Sequence, residues 1–224
     1  MARDGTAHDR APAGDGPGKS AVPLRDVAER WPVTGTEWRA GGAFVRLFTD
    51  RVTMPDGDVA ARDVVEHPGA VAIVALDEAG QVLMIRQYRH PAGRLLWEIP
   101  AGLRDAAGEQ PRATAQRELL EETGYQARDW HVLTDVFTSP GILSERVRIF
   151  LARGLTLLPV PERQHTPVHE EAHLLTRWVP LAAAVRGFLA GDLHNGVTAV
   201  GILAAYAAQQ GGFAALRPAE APEH

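Results

Sequence analysis

An α/β fold is what the chain's patterning predicts, on three observations. Apolar runs of strand length interleave with segments of helical period from about Gly69 onward, turn signals separate them, and no dinucleotide-binding glycine fingerprint accompanies them. A β-rich stretch precedes this region. The expected organisation is a disordered leader over 1–22, a β-rich arm over 23–66, one α/β domain over 67–212 and a flexible tail over 213–224.

The elements follow in order. The leader is rich in Gly, Ala, Pro and Asp and shows no periodicity. After Trp31-Pro32, the run from Ala43 to Met54 is rich in β-formers, Pro55-Asp56-Gly57 signals a turn, and a second strand continues through Val64-Val65. The arm therefore reads as a hairpin, which either caps its own domain or meets a second copy. Gly69 to Leu76 is a buried type of strand, Asp77-Glu78-Ala79-Gly80 a turn, and Val82 to Tyr88 the returning strand. Leu95 to Ile99 is a further short strand. Pro111 stands at a first helical position and Gly124 where a helix closes in the left-handed conformation. Strands over His131–Leu133, Val136-Phe137 and Val147–Ala152 flank a Ser139-Pro140-Gly141 loop, and Leu174 to Val179 ends another. Pro180 begins a helix closed by Gly191. Asn195 caps the last helix, whose apolar face is expected at Val197, Val200, Leu203, Ala204 and Ala207.

Composition excludes several classes. With 23 Lys+Arg against 28 Asp+Glu, the net charge of −5 gives no basic footprint for nucleic acid. The lack of cysteine removes disulfides, thiolate catalysis and cysteine-ligated zinc. No apolar signal region and no run of about 20 apolar residues is present, so no membrane partner is expected and the protein reads as cytoplasmic. His165, His169 and His173 recur every four residues, but Pro167 breaks the helix that would align them for zinc.

The chemistry concentrates between Gly102 and Tyr125. Glu118, Glu121 and Glu122 lie three and four apart on one helix, so their like charges repel. Such a cluster is either a solvated face or a platform for a hard divalent cation, which needs several oxygens from a compact patch. Glu109, seven residues, Arg117-Glu118-Leu119, one residue, Glu121-Glu122, one residue, then Gly124-Tyr125 resembles the Nudix box. It departs from that pattern once: six residues, not five, separate Gly102 from Glu109. Gln87-Tyr88-Arg89, the run Leu96 to Gly102, and Ser139-Pro140-Gly141 with Ser144-Glu145 are similar to the ADP-ribose pyrophosphatase branch of Nudix hydrolases.

That resemblance implies an α/β/α sandwich with a mixed β-sheet and an N-terminal β-rich arm that builds a homodimer. It implies Mg²⁺-dependent hydrolysis of the diphosphate bond of ADP-ribose to AMP and ribose 5-phosphate, with Mn²⁺ as an alternative cation. Glu118 and Glu122 would be metal ligands and catalytic. Glu121 would ligate directly, through water, or pair with Arg117. The Ala101 and Gly102 carbonyls would face the metals, and Glu109 with Arg117 would orient the loop against the helix. The general base would come from Glu170-Glu171, Glu171 favoured and Glu170 the alternative, and Glu171 would also ligate the metal. Arg89 and Arg86 would meet phosphate, Glu98 adenine or ribose, and Glu145 the terminal ribose or the attacking water. Glu98 has a strand-end salt bridge as its alternative role. Trp97 reads as core, and Trp38 as either core or a stacking platform. Two rival functions remain: hydrolysis of another nucleoside diphosphate derivative (a sugar nucleotide or oxidised nucleotide), or sensing of ADP-ribose without turnover.

Overall fold

The computed structural model describes residues 24–159 and 174–223. The leader over 1–22, the three histidines at 165, 169 and 173, and the Glu170-Glu171 pair lie outside the described residues.

Three strands, β1 (Val33–Gly41), β2 (Arg46–Thr53) and β3 (Val59–Glu66), form an antiparallel sheet of their own in the order β1-β2-β3. The arm thus has one strand more than the expected hairpin. β1 reads VTGTEWRAG, without the alternating apolar pattern by which a strand is recognised. Its register is held by the ladder and by hydroxyl–carboxylate bonds: Thr36 Oγ1 donates to Asp50 Oδ1 at 2.6 Å, and on the next pair Thr49 Oγ1 donates to Asp63 Oδ1 at 2.7 Å. No residue of these three strands is fully buried.

The domain then runs β4 (Ala70–Ala75), β5 (Gln81–Arg89), β6 (Arg94–Glu98), β7 (Ala101–Leu103), α1 (Pro111–Thr123), β8 (Tyr125–Phe137), β9 (Arg146–Leu157), β10 (Leu175–Pro180), α2 (Leu181–Ala190), α3 (Gly196–Gln210) and β11 (Arg217–Pro218). One sheet has the order β11-β8-β9-β4-β7 and another β10-β5-β6. β4 lies parallel to β9 and antiparallel to β7, so the larger sheet is mixed. The two-residue period of β4 divides the core. Val71, Ile73 and Ala75 point to the side covered by Ala115 and Leu119 of α1, while Ala72 and Val74 point to Leu181 of α2 and to Ile202 and Ala205 of α3. Helices therefore cover both faces, giving the α/β/α sandwich.

α1 begins at Pro111 and is closed by Gly124 at φ 74, and Asn195 Oδ1 caps α3 by accepting from the Thr198 N–H at 2.8 Å. The buried face of α3 is a correction. Thr198, Gly201, Ile202 and Ala205 face the sheet, whereas Val200 and Leu203 are exposed. Small residues let the helix lie close: a Cβ on Gly201 would stand 2.9 Å from Ile99 Cδ1 and 3.2 Å from Val74 Cγ2. Close approach outweighs side-chain size here, which a hydrophobic wheel does not register.

The C-terminal segment is a second correction. In place of a flexible tail, β11 pairs with β8, Ala219 is buried, and residues 220–223 strap across the start of α1. Arg148, only 3% exposed, donates from Nε and Nη2 to the two oxygens of Asp135 at 2.7 and 3.1 Å and also to the carbonyls of Ala221 and Pro222. Arg217 Nη2 reaches Asp135 at 3.0 Å, Arg104 pairs with Glu223 at 2.8 Å, and Arg112 pairs with Glu220. A buried guanidinium needs such acceptors, and the strap supplies the carbonyls. Composition alone gave no sign of them.

Burial opposes ionisation of Asp135, but the hydrogen bonds from Arg148 and Arg217 outweigh it and hold the carboxyl below its ordinary value. A carboxyl whose folded value is depressed contributes stability above its unfolded value, about 4, and loses it as pH falls through the folded value. Urea midpoints measured from pH 7 down to pH 3 are therefore expected to fall less steeply for Asp135→Asn than for the wild type. Equal slopes would show that the pair does not govern acid stability.

Candidate active site

Four elements converge on the site: the end of β5, the β6–β7 bend, the N-terminal half of β9 and the acidic helix α1. Pro100 carries no N–H, and its carbonyl accepts from the Ile73 N–H at 2.8 Å, so the chain bends from β6 into β7 while staying tied to β4. This bend places Ala101 and Gly102 against α1. The Ala101 N–H donates to Glu122 Oε2 at 3.0 Å. Gly102 faces Glu118 so closely that an added Cβ would lie 2.0 Å from Glu118 Cδ and 2.2 Å from its Oε1. Only glycine leaves room for that carboxylate.

The repulsion expected among the glutamates is met by one cation. Arg117 donates from Nη1 to Glu118 Oε1 at 2.7 Å and to Glu121 Oε2 at 3.0 Å. Its Nε and Nη2 take the two oxygens of Glu109 at 3.3 and 3.2 Å. The hydrogen bond from Arg117 is the main cause that holds the Glu109 carboxyl below its ordinary value, and the bond to Glu109 is likewise what most raises Arg117. The extra residue of the loop is absorbed in a turn, where the Glu109 N–H donates to the Ala106 carbonyl at 3.1 Å. Glu109 is thereby returned to Arg117 and also accepts from Thr114 Oγ1 at 3.0 Å.

Beside this platform lies a cleft of about 380 Å³ lined by Arg89, Glu98, Ala101, Gly102 and Glu145, together with His67 and Phe44. Glu98, 2% exposed, accepts from Arg89 Nε at 3.0 Å and Nη2 at 2.7 Å. The strand-end salt bridge is thus formed, with Arg89 across the β5–β6 ladder, and Glu98 also lines the cleft. Arg86 lies over the Trp97 ring, 5.6 Å from the centroid, and is not among the residues lining this cleft. Side chains alternate between the faces of a strand, so Arg86 and Arg89, three apart, point to opposite sides. Trp97 packs on the core, whereas Trp38 is exposed on the arm with its edge toward Phe48. Glu145 Oε2 accepts from Thr138 Oγ1 at 2.6 Å.

His67 and Phe44 were not found from the sequence. His67 sits in a His-Pro-Gly turn signal, and the contact that fixes it comes from Ser144, 77 residues away. No local pattern carries that information.

The donor set is one of hard oxygens, which suits a hard divalent cation. No group of three or more His, Asp or Glu side chains among the described residues forms a ready metal cage.

A carboxylate helix laid against a glycine-bearing strand edge in an α/β/α sandwich defines the class of hydrolases built on the Nudix box. Residues 66–197 match the NUDIX domain, and the chain belongs to that family. An ADP-ribose pyrophosphatase of Mycobacterium tuberculosis is 50% identical over 177 residues, covering 79% of this chain and 83% of that one. An ADP-ribose pyrophosphatase of Bacillus subtilis is 44% identical over 117 residues, covering 52% and 63% respectively. A crystal structure of an ADP compounds hydrolase superposes with a TM-score of 0.69 at 21% identity, over 84% of this chain and 98% of that one, a likeness of fold. The protein is a Nudix hydrolase, a family that generally works with divalent cations.

Gly102→Ala is expected to turn the Glu118 carboxylate away while leaving the fold intact, since the atoms met are the end of a flexible side chain. Divalent-cation affinity, read by calorimetric titration, should fall about tenfold or more with little change in melting temperature. Unchanged affinity would separate Glu118 from the cation site.

Proposed function

We propose that the chain hydrolyses the diphosphate bond of ADP-ribose, giving AMP and ribose 5-phosphate, with Mg²⁺ as cofactor. The observation that carries the reading is that Ala101-Gly102 belongs at once to the cleft and to the Glu118–Glu122 helix face. A diphosphate in the cleft would therefore meet carboxylate-held cation at the bond to be cleaved. The half-length and near-full-length likenesses to proteins named ADP-ribose pyrophosphatase support the same substrate.

In this reading Glu118, Glu121, Glu122 and the Ala101 carbonyl hold the cation. When bound, the cation lowers the pKa of a water and neutralises charge on the diphosphate oxygens. Arg89, oriented by Glu98, presents its guanidinium to a phosphate oxygen by charge-assisted bonds. Glu171, with Glu170 as the alternative, takes the water's proton; the water oxygen bonds to phosphorus as the bridging P–O bond breaks, and the departing phosphate carries away the electron pair. A carboxylate is already ionised at pH 7, so the base requires position and little tuning. Glu145, which lines the cleft, is assigned to the terminal ribose or the attacking water.

The arm is proposed as the homodimer contact. An isolated three-stranded sheet with no buried residue gains little stability alone, and Val33, Trp38, Phe44 and Val59 are large apolar side chains that it exposes.

The deciding experiment is a panel of nucleoside diphosphate compounds assayed with Mg²⁺, comparing wild type with Glu122→Gln and Glu171→Gln. ADP-ribose should lead the panel, and each variant should lose about 100-fold or more in kcat. Another leading substrate would move the reading to sugar or oxidised nucleotides; binding without cleavage would make the chain a sensor. Sedimentation equilibrium should give a dimer that Trp38→Asp weakens toward monomer, and a wild-type monomer would overturn the role given to the arm.

A further inference from the structure

His67 joins the arm to the domain immediately after β3, and its side chain is only 7% exposed. Three contacts fix it: its backbone N–H donates to Ser144 Oγ at 3.0 Å, its Nδ1 accepts from the Gly69 N–H at 3.1 Å, and its ring packs against Phe44 in a T-shaped arrangement at 5.6 Å. Glu145 Oε1 lies nearby, 3.6 Å from Nδ1. The Gly69 bond has a consequence for the proton. An Nδ1 that accepts from an N–H carries no hydrogen itself, so the neutral ring bears its hydrogen on Nε2. Nε2 has no hydrogen-bond partner among the described residues, yet His67 lines the same cleft as Arg89, Gly102 and Glu145. A nearly buried ring that lines the cleft thus carries its one donor on an atom that no described residue engages.

The neighbour decides which group that is. Beside Glu145, a carboxylate, a further phosphate oxygen would be repelled. A sugar hydroxyl is different, because it accepts and donates at once and can satisfy the Nε2–H and the Glu145 carboxylate together. We infer that His67 is a specificity-determining residue that donates from Nε2 to a hydroxyl of the substrate's terminal sugar, with Glu145 accepting from the same sugar. This rests on the reading of the cleft as a site for nucleoside diphosphate sugars. It adds a reason for the sugar to be distinguished from a bare terminal phosphate: a ligand without that hydroxyl forgoes the bond from the cleft-lining Nε2–H.

Two substitutions separate this role from a structural one. In His67→Asn the side-chain oxygen can still accept from the Gly69 N–H, but nothing reaches the Nε2 position. In His67→Gln the amide N–H reaches the Nε2 position and the Gly69 acceptor is lost. The full-length protein would be assayed for KM and kcat with ADP-ribose, and for inhibition by ADP, which lacks the terminal ribose. Asn is expected to raise KM for ADP-ribose about tenfold while leaving the ADP inhibition constant within about twofold, and Gln is expected to retain most of the preference for ADP-ribose over ADP. The ratio in Gln also serves if Asn fails to fold. Equal weakening of both ligands, no change in either, or a preference lost in Gln and kept in Asn would each overturn the inference. If the wild type neither binds nor cleaves ADP-ribose, the substrate reading fails first; the same ratio is then taken for whichever nucleoside diphosphate sugar it cleaves, and failure of all of them overturns both.

Discussion

Four glutamates and one arginine set the terms for the rest of the molecule. Glu109, in the loop before the thirteen-residue helix, and Glu118, Glu121 and Glu122 on its C-terminal half cannot gather without a counter-charge, and Arg117 bonds three of them. Because its fork is planar and its donors are fixed, the arginine also dictates geometry: Nη1 serves the helix face and Nε with Nη2 serves the loop. A lysine could neutralise the charge and would still leave the loop undirected. The remaining glutamate, Glu122, takes its bond from the Ala101 N–H, which locks the helix to the strand edge. Much of the fold can be seen as support for that lock. β4 holds β7 on one side and β9 on the other, and α1 is seated by Ala115 and Leu119.

What could be read from the sequence follows from how local each determinant is. α1 was legible in full, since Pro111, Gly124 and the glutamate spacing all lie within one short segment. The caps of the later helices and the strands from β4 to β6 were legible for the same reason. The mixed sheet and the sandwich entered through resemblance to a family, because periodicity does not say which strands are neighbours. The failures share a physical cause. β1 is stabilised by its partner and by hydroxyl–carboxylate bonds rather than by an apolar face. α3 turns small residues toward the sheet because proximity of the backbone adds more contact than a larger side chain held farther away. The strap at residues 217–223 is chemically a polar, proline-containing tail until Arg148, buried on β9, gives its carbonyls something to bond.

The pair of Arg89 and Glu98 shows how a correct position can conceal a different division of labour. Both residues were expected to touch substrate, and both line the cleft. A carboxylate so buried, however, must be paired, and the neighbouring strand offers Arg89 in bidentate geometry. The arginine, more exposed than its partner, remains the group that a phosphate oxygen can approach. Pairing lowers the conformational freedom of the guanidinium, so less entropy would be lost on binding an anionic group there.

The arm and the cleft are mechanically one problem. β3 is tied to the loop before β9: the Val65 N–H donates to the Ile142 carbonyl at 2.8 Å, and the Ser144 N–H donates back to the Val65 carbonyl at 3.0 Å. His67 follows two residues on, and Glu145 lies next to Ser144. Any motion of the arm is therefore passed to His67 and Glu145 with little slack, through bonds that flank both. The arm itself has no buried residue to hold it rigid. Covering its exposed aromatic and branched side chains would restrict its motion and, through Val65 and Ser144, the part of the cleft lined by His67 and Glu145. The arm and the His67–Glu145 side of the cleft therefore share one set of backbone and side-chain bonds, at Val65 and Ser144.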